Sequence, residues 1–128
     1  MDNLVLIGIG GFVGAIARFW VSGRVQDISG SIGFPYGTLV VNLVGCFLLG
    51  ILSYLIDTRG MFGPEARSLL IIGLLGAFTT FSTFSMETFN LLAAGETFRA
   101  LANLSSSVVL GLLAVWAGRL LPLMIWRQ

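Results

Sequence analysis

The densest polar stretch of this chain lies inside an apolar run. Residues 76–85 read Gly-Ala-Phe-Thr-Thr-Phe-Ser-Thr-Phe-Ser, and Glu87, Thr88 and Asn90 follow. Five hydroxyl side chains, Thr79, Thr80, Ser82, Thr83 and Ser85, cluster behind Gly76. Such residues loosen a helix by offering its backbone other hydrogen bonds. A helix broken at membrane depth is tolerated where protein buries it or where it lines a wet cavity. Its freed carbonyls can then hold a cation. Phe81 and Phe84 are spaced i,i+3 and share a face of an ideal helix. Two Phe at that spacing most often pack in a core or against lipid. Here they alternate with Ser82 and Thr83, which a lipid-facing surface would not carry. Thr80, Thr83 and Glu87 form a neighbouring stripe, offset by roughly 100° on an ideal helix.

Other polar residues lie in apolar runs, where they are costly and so mark function by default. Thr38 and Asn42 are one turn apart. Asn42 reads equally as an interhelical clamp and as a donor to a permeating ion. Asn103 and Ser107 are also one turn apart, and Gly111 continues their stripe. Arg18 lies within about a turn of its helix end, where snorkelling explains it. Glu87 lies deeper. A carboxyl group there is neutral, hydrogen-bonded or in a water-filled vestibule.

The elements that must position these residues are apolar helices. The chain has 128 residues, of which 56% are hydrophobic and 10% charged, and its mean hydropathy is +0.96. Ordinary soluble domains carry roughly 25% charge. Four runs, at about residues 4–21, 36–56, 68–94 and 100–125, each approach the ~20 residues that a bilayer core requires. A Gly/Ser-rich linker over 22–35, a polar loop over 57–67 and the turn Ala94-Gly95-Glu96 separate them. The sequence therefore predicts a single all-α transmembrane domain over residues 1–128. Gly10 and Gly14, and Ala114 and Gly118, are small residues four apart that permit close helix packing. The first run reads as a span rather than a signal peptide, since no Arg or Lys precedes it and no clear cleavage site ends it.

Charge narrows the functional classes. The net charge is +1, too little to attract nucleic acid. Histidine is absent, and with it the commonest general base and metal ligand. The lone Cys46 excludes an intrachain disulfide and a multi-cysteine metal site; it reads as a small core residue. All cations are Arg, and the two sides nearly balance: Arg18, Arg24 and Arg99 against Arg59, Arg67, Arg119 and Arg127. Since Lys/Arg excess sets orientation, balance suggests insertion both ways.

Three motifs carry a family resemblance: Gly10-Gly11-Phe12-Val13-Gly14-Ala15-Ile16-Ala17-Arg18-Phe19, Gly37-Thr38-Leu39-Val40-Val41-Asn42-Leu43-Val44-Gly45, and the segment from Gly73 to Glu87. Over essentially its whole length the chain resembles the Fluc (CrcB) fluoride channels. The third motif is the most specific. The resemblance implies a passive fluoride exporter in the inner membrane of a microbe. It implies an antiparallel, dual-topology homodimer with two pores along its interface. Backbone carbonyls of Gly76 and Thr79, at the break in helix 3, would hold a central structural Na⁺. Phe81 and Phe84 would form an aromatic box, with Asn42, Thr38, Ser82, Thr83 and Ser107 as flanking donors and Arg18 at the vestibule. Asn103 stands where many relatives have Tyr, whereas Ser107 matches.

The chemistry of these residue types suits that implication. Fluoride is small and tightly hydrated, so a pore must replace its water with donors. Amides and hydroxyls donate, a ring edge is positive, and a fixed cation offsets desolvation. Two other classes compete. A small proton-coupled multidrug exporter also has four helices, but it needs an embedded carboxylate, typically in helix 1, and that helix has no acid after Asp2. A structural subunit without transport activity would tolerate loss of the helix 3 hydroxyls. No nucleophile–base pair or ligand cluster suggests an enzyme.

Overall fold

A computed structural model describes residues 2–126. Among these residues every regular element is a helix. Helix α1 covers Asn3–Ser29 and α2 covers Tyr36–Ser53. A π-helical turn, Tyr54–Thr58, continues α2. The third span opens with the single turn α3, Pro64–Ala66, and proceeds through a π-helical segment, Arg67–Leu75, and the short α4, Gly76–Phe78. It ends with α5, Phe81–Ala93. Helix α6 covers Thr97–Ile125. Four spans are long and apolar enough to cross a membrane: Asn3–Ser29, Tyr36–Thr58, Pro64–Ala93 and Thr97–Ile125. The chain is a multi-pass membrane protein.

Several boundaries differ from those the composition suggested. The first helix runs eight residues past position 21, through Ser22 and Gly23. One glycine costs a helix only about 1 kcal/mol, and no proline interrupts before Pro35. The helix stops at Gly30, whose φ of 61° is left-handed, a conformation glycine adopts without a Cβ clash. Arg24 therefore lies in α1 rather than in a linker. The third span starts earlier than expected because Pro64 occupies the first helical position, where its missing N–H is not needed. Helix α6 starts three residues earlier, directly after the turn. Arg127 lies outside the described residues.

Small residues set the packing. A Cβ on Gly10 would fall on the Leu69 carbonyl, and one on Gly14 on the Leu74 carbonyl. Helix α1 thus lies directly on the backbone of the third span. Gly118 is equally close to Phe47 and Gly50 to Val115, so α2 and α6 form the second tight pair. The third span changes partner along its length. Before residue 79 it packs on α1; after residue 80, α5 packs on α6.

Candidate functional site

Helical geometry is interrupted at the midpoint of the 30-residue third span. Thr79 has φ −88°, ψ 157°, and Thr80 has φ −150°, ψ 114°; both are extended. Asn42 of α2 faces this pair. Its Nδ2 donates to the Thr80 carbonyl at 3.1 Å, and its Oδ1 accepts the Thr80 N–H at 2.8 Å. One side chain thus satisfies both backbone groups of a buried residue that is 8% exposed. Buried backbone groups require such partners. The close approach depends on Gly45, where a Cβ would fall on the Thr79 methyl group.

Thr80 also starts the next helix. Its Oγ1 accepts the Thr83 N–H at 3.3 Å and donates to Thr83 Oγ1 at 3.0 Å. This is N-capping, in which a hydroxyl satisfies an orphan N–H of the first turn. An uninterrupted α-helix would bond Thr80 N–H to the Gly76 carbonyl and Thr83 N–H to the Thr79 carbonyl. Both donors are diverted, one to Asn42 and one to the Thr80 hydroxyl. The carbonyls of Gly76 and Thr79 lose those partners together. Oxygen donors of this kind suit a hard cation.

The remaining hydroxyls follow. Ser82 Oγ lies 3.4 Å from Thr80 Oγ1. Each hydroxyl has one proton. With the Thr80 proton on Thr83, the Ser82 contact uses the Ser82 proton, and the Thr83 proton is left for another acceptor. Ser82, Thr83 and Gly76 are all exposed, so a polar strip opens at mid-span on the surface of this chain.

Phe81 and Phe84 touch, with ring centroids 5.7 Å apart and planes at 49°. Their surroundings differ sharply: Phe81 is 79% exposed and Phe84 8%. A cavity of about 380 Å³ beside them is lined by Asn42, Thr79, Thr80, Phe81, Phe84 and Ser107, among others. The Ser107 hydroxyl is buried and has no hydrogen-bond partner among the described residues. An uncompensated buried hydroxyl is costly, and this one borders the cavity.

A second cavity, of about 520 Å³, lies toward the α1–α2 linker and is lined by Gln26, Thr38, Thr83, Glu87 and Asn90, among others. At its edge Thr38 Oγ1 donates to Glu87 Oε1 at 2.7 Å. That bond occupies the single proton of Thr38. The other Glu87 oxygen is buried without a partner among the described residues. Arg18 is half-buried on α1.

Three contributions were not evident from spacing. Thr80, which ideal helical spacing places in a stripe with Thr83 and Glu87, is instead the cap residue, because α5 begins after it. Gln26 staples the linker: its Nε2 donates to the Ser31 and Phe34 carbonyls at 2.6 and 3.1 Å, and its Oε1 accepts the Gly37 N–H at 3.1 Å. Asn103, 1% exposed, donates to Thr88. A Thr immediately before a helical run is a common N-cap residue, a signal that points to Thr80. No local signal marks the other two, whose partners are distant or lie in irregular backbone.

Four apolar spans, one broken at its middle by a polar clamp, define a polytopic membrane protein with polar groups at bilayer depth. The family model of the CrcB-like protein, Camphor Resistance (CrcB), matches residues 5–119. The chain belongs to the CrcB-like family. It is 48% identical over 120 residues to the fluoride-specific ion channel FluC 1 of Methanosarcina acetivorans, covering 94% of this chain and 90% of that protein. It is 46% identical to the fluoride-specific ion channel FluC of Methylocella silvestris, covering 98% and 95%. Identity to the FluC of Hydrogenovibrio crunogenus is 49%, covering 91% and 87%. These relatives are channels, not enzymes.

Proposed function

We propose that this protein is a passive, fluoride-selective channel that lets fluoride leave the cell. The observation that carries this reading is the mid-span cavity bordered by Asn42, Thr80, Phe81, Phe84 and the unpartnered Ser107 hydroxyl. Relatives of nearly equal length are named as fluoride channels. Fluoride would pass the ring edges of Phe81 and Phe84, where the quadrupole is positive. The second Asn42 N–H and the hydroxyls of Thr83 and Ser107 would replace lost water, and Ser82 joins them when its proton leaves Thr80. Thr38 joins them only when its proton leaves Glu87. Arg18 would act at the vestibule, raising the local anion concentration.

The active form in this reading is an antiparallel homodimer with two pores along its interface, in the inner membrane. Gly76, Ser82 and Thr83 are exposed at mid-span, and such groups face protein or water rather than acyl chains. The near-balanced arginines favour both orientations. The carbonyls of Gly76 and Thr79 from both copies would hold a central Na⁺, which supplies fixed positive charge for the anion.

Anion efflux from liposomes tests the reading. The parent should release fluoride and retain chloride. Phe81→Ile and Phe84→Ile keep apolar bulk but lose the ring edge, so fluoride efflux should fall sharply while the oligomer persists. Parent-like efflux in both variants would assign the rings to packing alone. Two or three lysines added at one end should abolish efflux, and coexpression of oppositely biased copies should restore it. Function of one biased copy alone would refute dual topology. Exchange of Na⁺ for a bulky organic cation during preparation should lower efflux; no change would remove the ion from the site.

A further inference from the structure

The second half of the third span is tied to α6 by a short polar relay. Asn103 Nδ2 donates to Thr88 Oγ1 at 2.9 Å, and Thr88 Oγ1 donates to the Phe84 carbonyl at 2.8 Å. Among the described residues this is the one side-chain hydrogen bond that joins α5 to α6. It is deeply buried at the Asn103 end, which is 1% exposed. Hydroxyls commonly bond back to their own helix. Here Thr88 does so and also accepts from a second helix, so the Asn103 amide fixes a turn that it does not itself belong to.

Position along the two helices gives the relay a purpose. Helices α5 and α6 are consecutive, joined by the turn at residues 94–96, and run antiparallel. Where Thr88 meets Asn103, the residues one turn farther from the connecting turn are Phe84 on α5 and Ser107 on α6. One turn is about 5.4 Å. Phe84 and Ser107 both line the cavity of about 380 Å³. The buried ring and the unpartnered hydroxyl therefore border one cavity, each one turn from the Asn103–Thr88 bond.

We infer that Asn103 and Thr88 are positioning residues that hold the Phe84 ring against the Ser107 hydroxyl, so that the two act on one anion. The inference rests on the reading of Phe84 as part of the fluoride path. Neither residue touches the ion. Loss of the relay lets α5 slide or rotate on α6, and a small displacement separates donors that must converge on a small ion. Selectivity suffers as well as rate, because a loosened site no longer replaces the water of fluoride in preference to that of chloride.

The test is efflux of fluoride and of chloride from liposomes, using protein that elutes as the parent does on size exclusion. Thr88→Val, which keeps the shape of the side chain but has no hydroxyl, should lower fluoride efflux about tenfold and narrow the fluoride-to-chloride ratio. Asn103→Leu should do the same. The double variant should be no worse than either single one, since both break one relay. Thr88→Ser, which restores the hydroxyl, should recover parent efflux and ratio. If Thr88→Val or Asn103→Leu does not elute normally, Thr88→Ala and Asn103→Ala replace them. Parent-like efflux and ratio in the single variants would overturn the inference, as would independent, multiplying losses in the double variant. Phe84→Ile, measured alongside, separates the two levels. Parent-like efflux in that variant removes Phe84 from the path, whereas loss there with parent-like relay variants removes only the positioning role.

Discussion

The third and fourth spans carry similar polar residues and respond to them differently. Helix α6 holds Asn103, Ser105, Ser106 and Ser107 in its interior and remains helical from Thr97 to Ile125. The third span holds Thr79, Thr80, Ser82 and Thr83 and is interrupted. The local bonding is alike in both. Ser106 bonds back to the Ala102 carbonyl at 2.6 Å, and Thr79 to the Leu75 carbonyl at 3.0 Å. Hydroxyls that return to their own helix leave it intact. The difference is Asn42, which takes both backbone groups of Thr80 from outside the span. No side chain reaches the α6 backbone near the serines in that way among the described residues. Hydroxyl content therefore permits a break, and an amide from a neighbouring helix makes one.

The largest expected effect comes from removing that amide. Asn42→Leu would strand the buried N–H and C=O of Thr80, each costing about 1–3 kcal/mol. Thermal unfolding in detergent should shift down strongly, and fluoride efflux should fall to the liposome background. If Asn42→Leu unfolds and conducts like the parent, the break does not depend on the clamp. Asn42→Asp sharpens the point. It keeps an acceptor for the N–H but sets a carboxylate against the Thr80 carbonyl, so it too should fail.

A smaller loss follows from the cap. Thr80→Val keeps the Asn42 clamp but loses the acceptor for Thr83 N–H, a change of about 1 kcal/mol. Stability should drop modestly while the break and partial efflux persist, and Thr80→Ser should match the parent. An effect as large as that of Asn42→Leu would make the cap, not the clamp, the cause of the break. The smallest effect belongs to α6. Ser106→Ala deletes only a bond within its own helix and should change stability by no more than about 0.5 kcal/mol. A large shift there would show that α6 also depends on a serine, and would erase the contrast between the spans.

Composition and apolar run length determined the four spans, because a bilayer admits few ways to satisfy a backbone and helices of about 20 residues are the simplest. The glycine-backed hydroxyls of residues 76–85 marked where the third span could yield, and the i,i+3 spacing brought Phe81 and Phe84 into contact. Helix ends were less legible. Ser22 and Gly23 resemble a linker, yet their cost to a helix is small and the chain carries it to Gly30. Sequence left the roles of Asn42 open, since an amide at the seventh residue of an apolar run can clamp a helix or meet an ion. Tertiary structure assigned the clamp by bringing Thr80 within 3.1 Å, across 38 residues of chain. It also divided the Phe pair, burying one ring and exposing the other, although both belong to one face of an ideal helix. Periodicity describes a helix by itself. Which part of its face is covered, which carbonyls lose their donors and which amide replaces them depend on the neighbour that packs there, and that neighbour is distant in sequence.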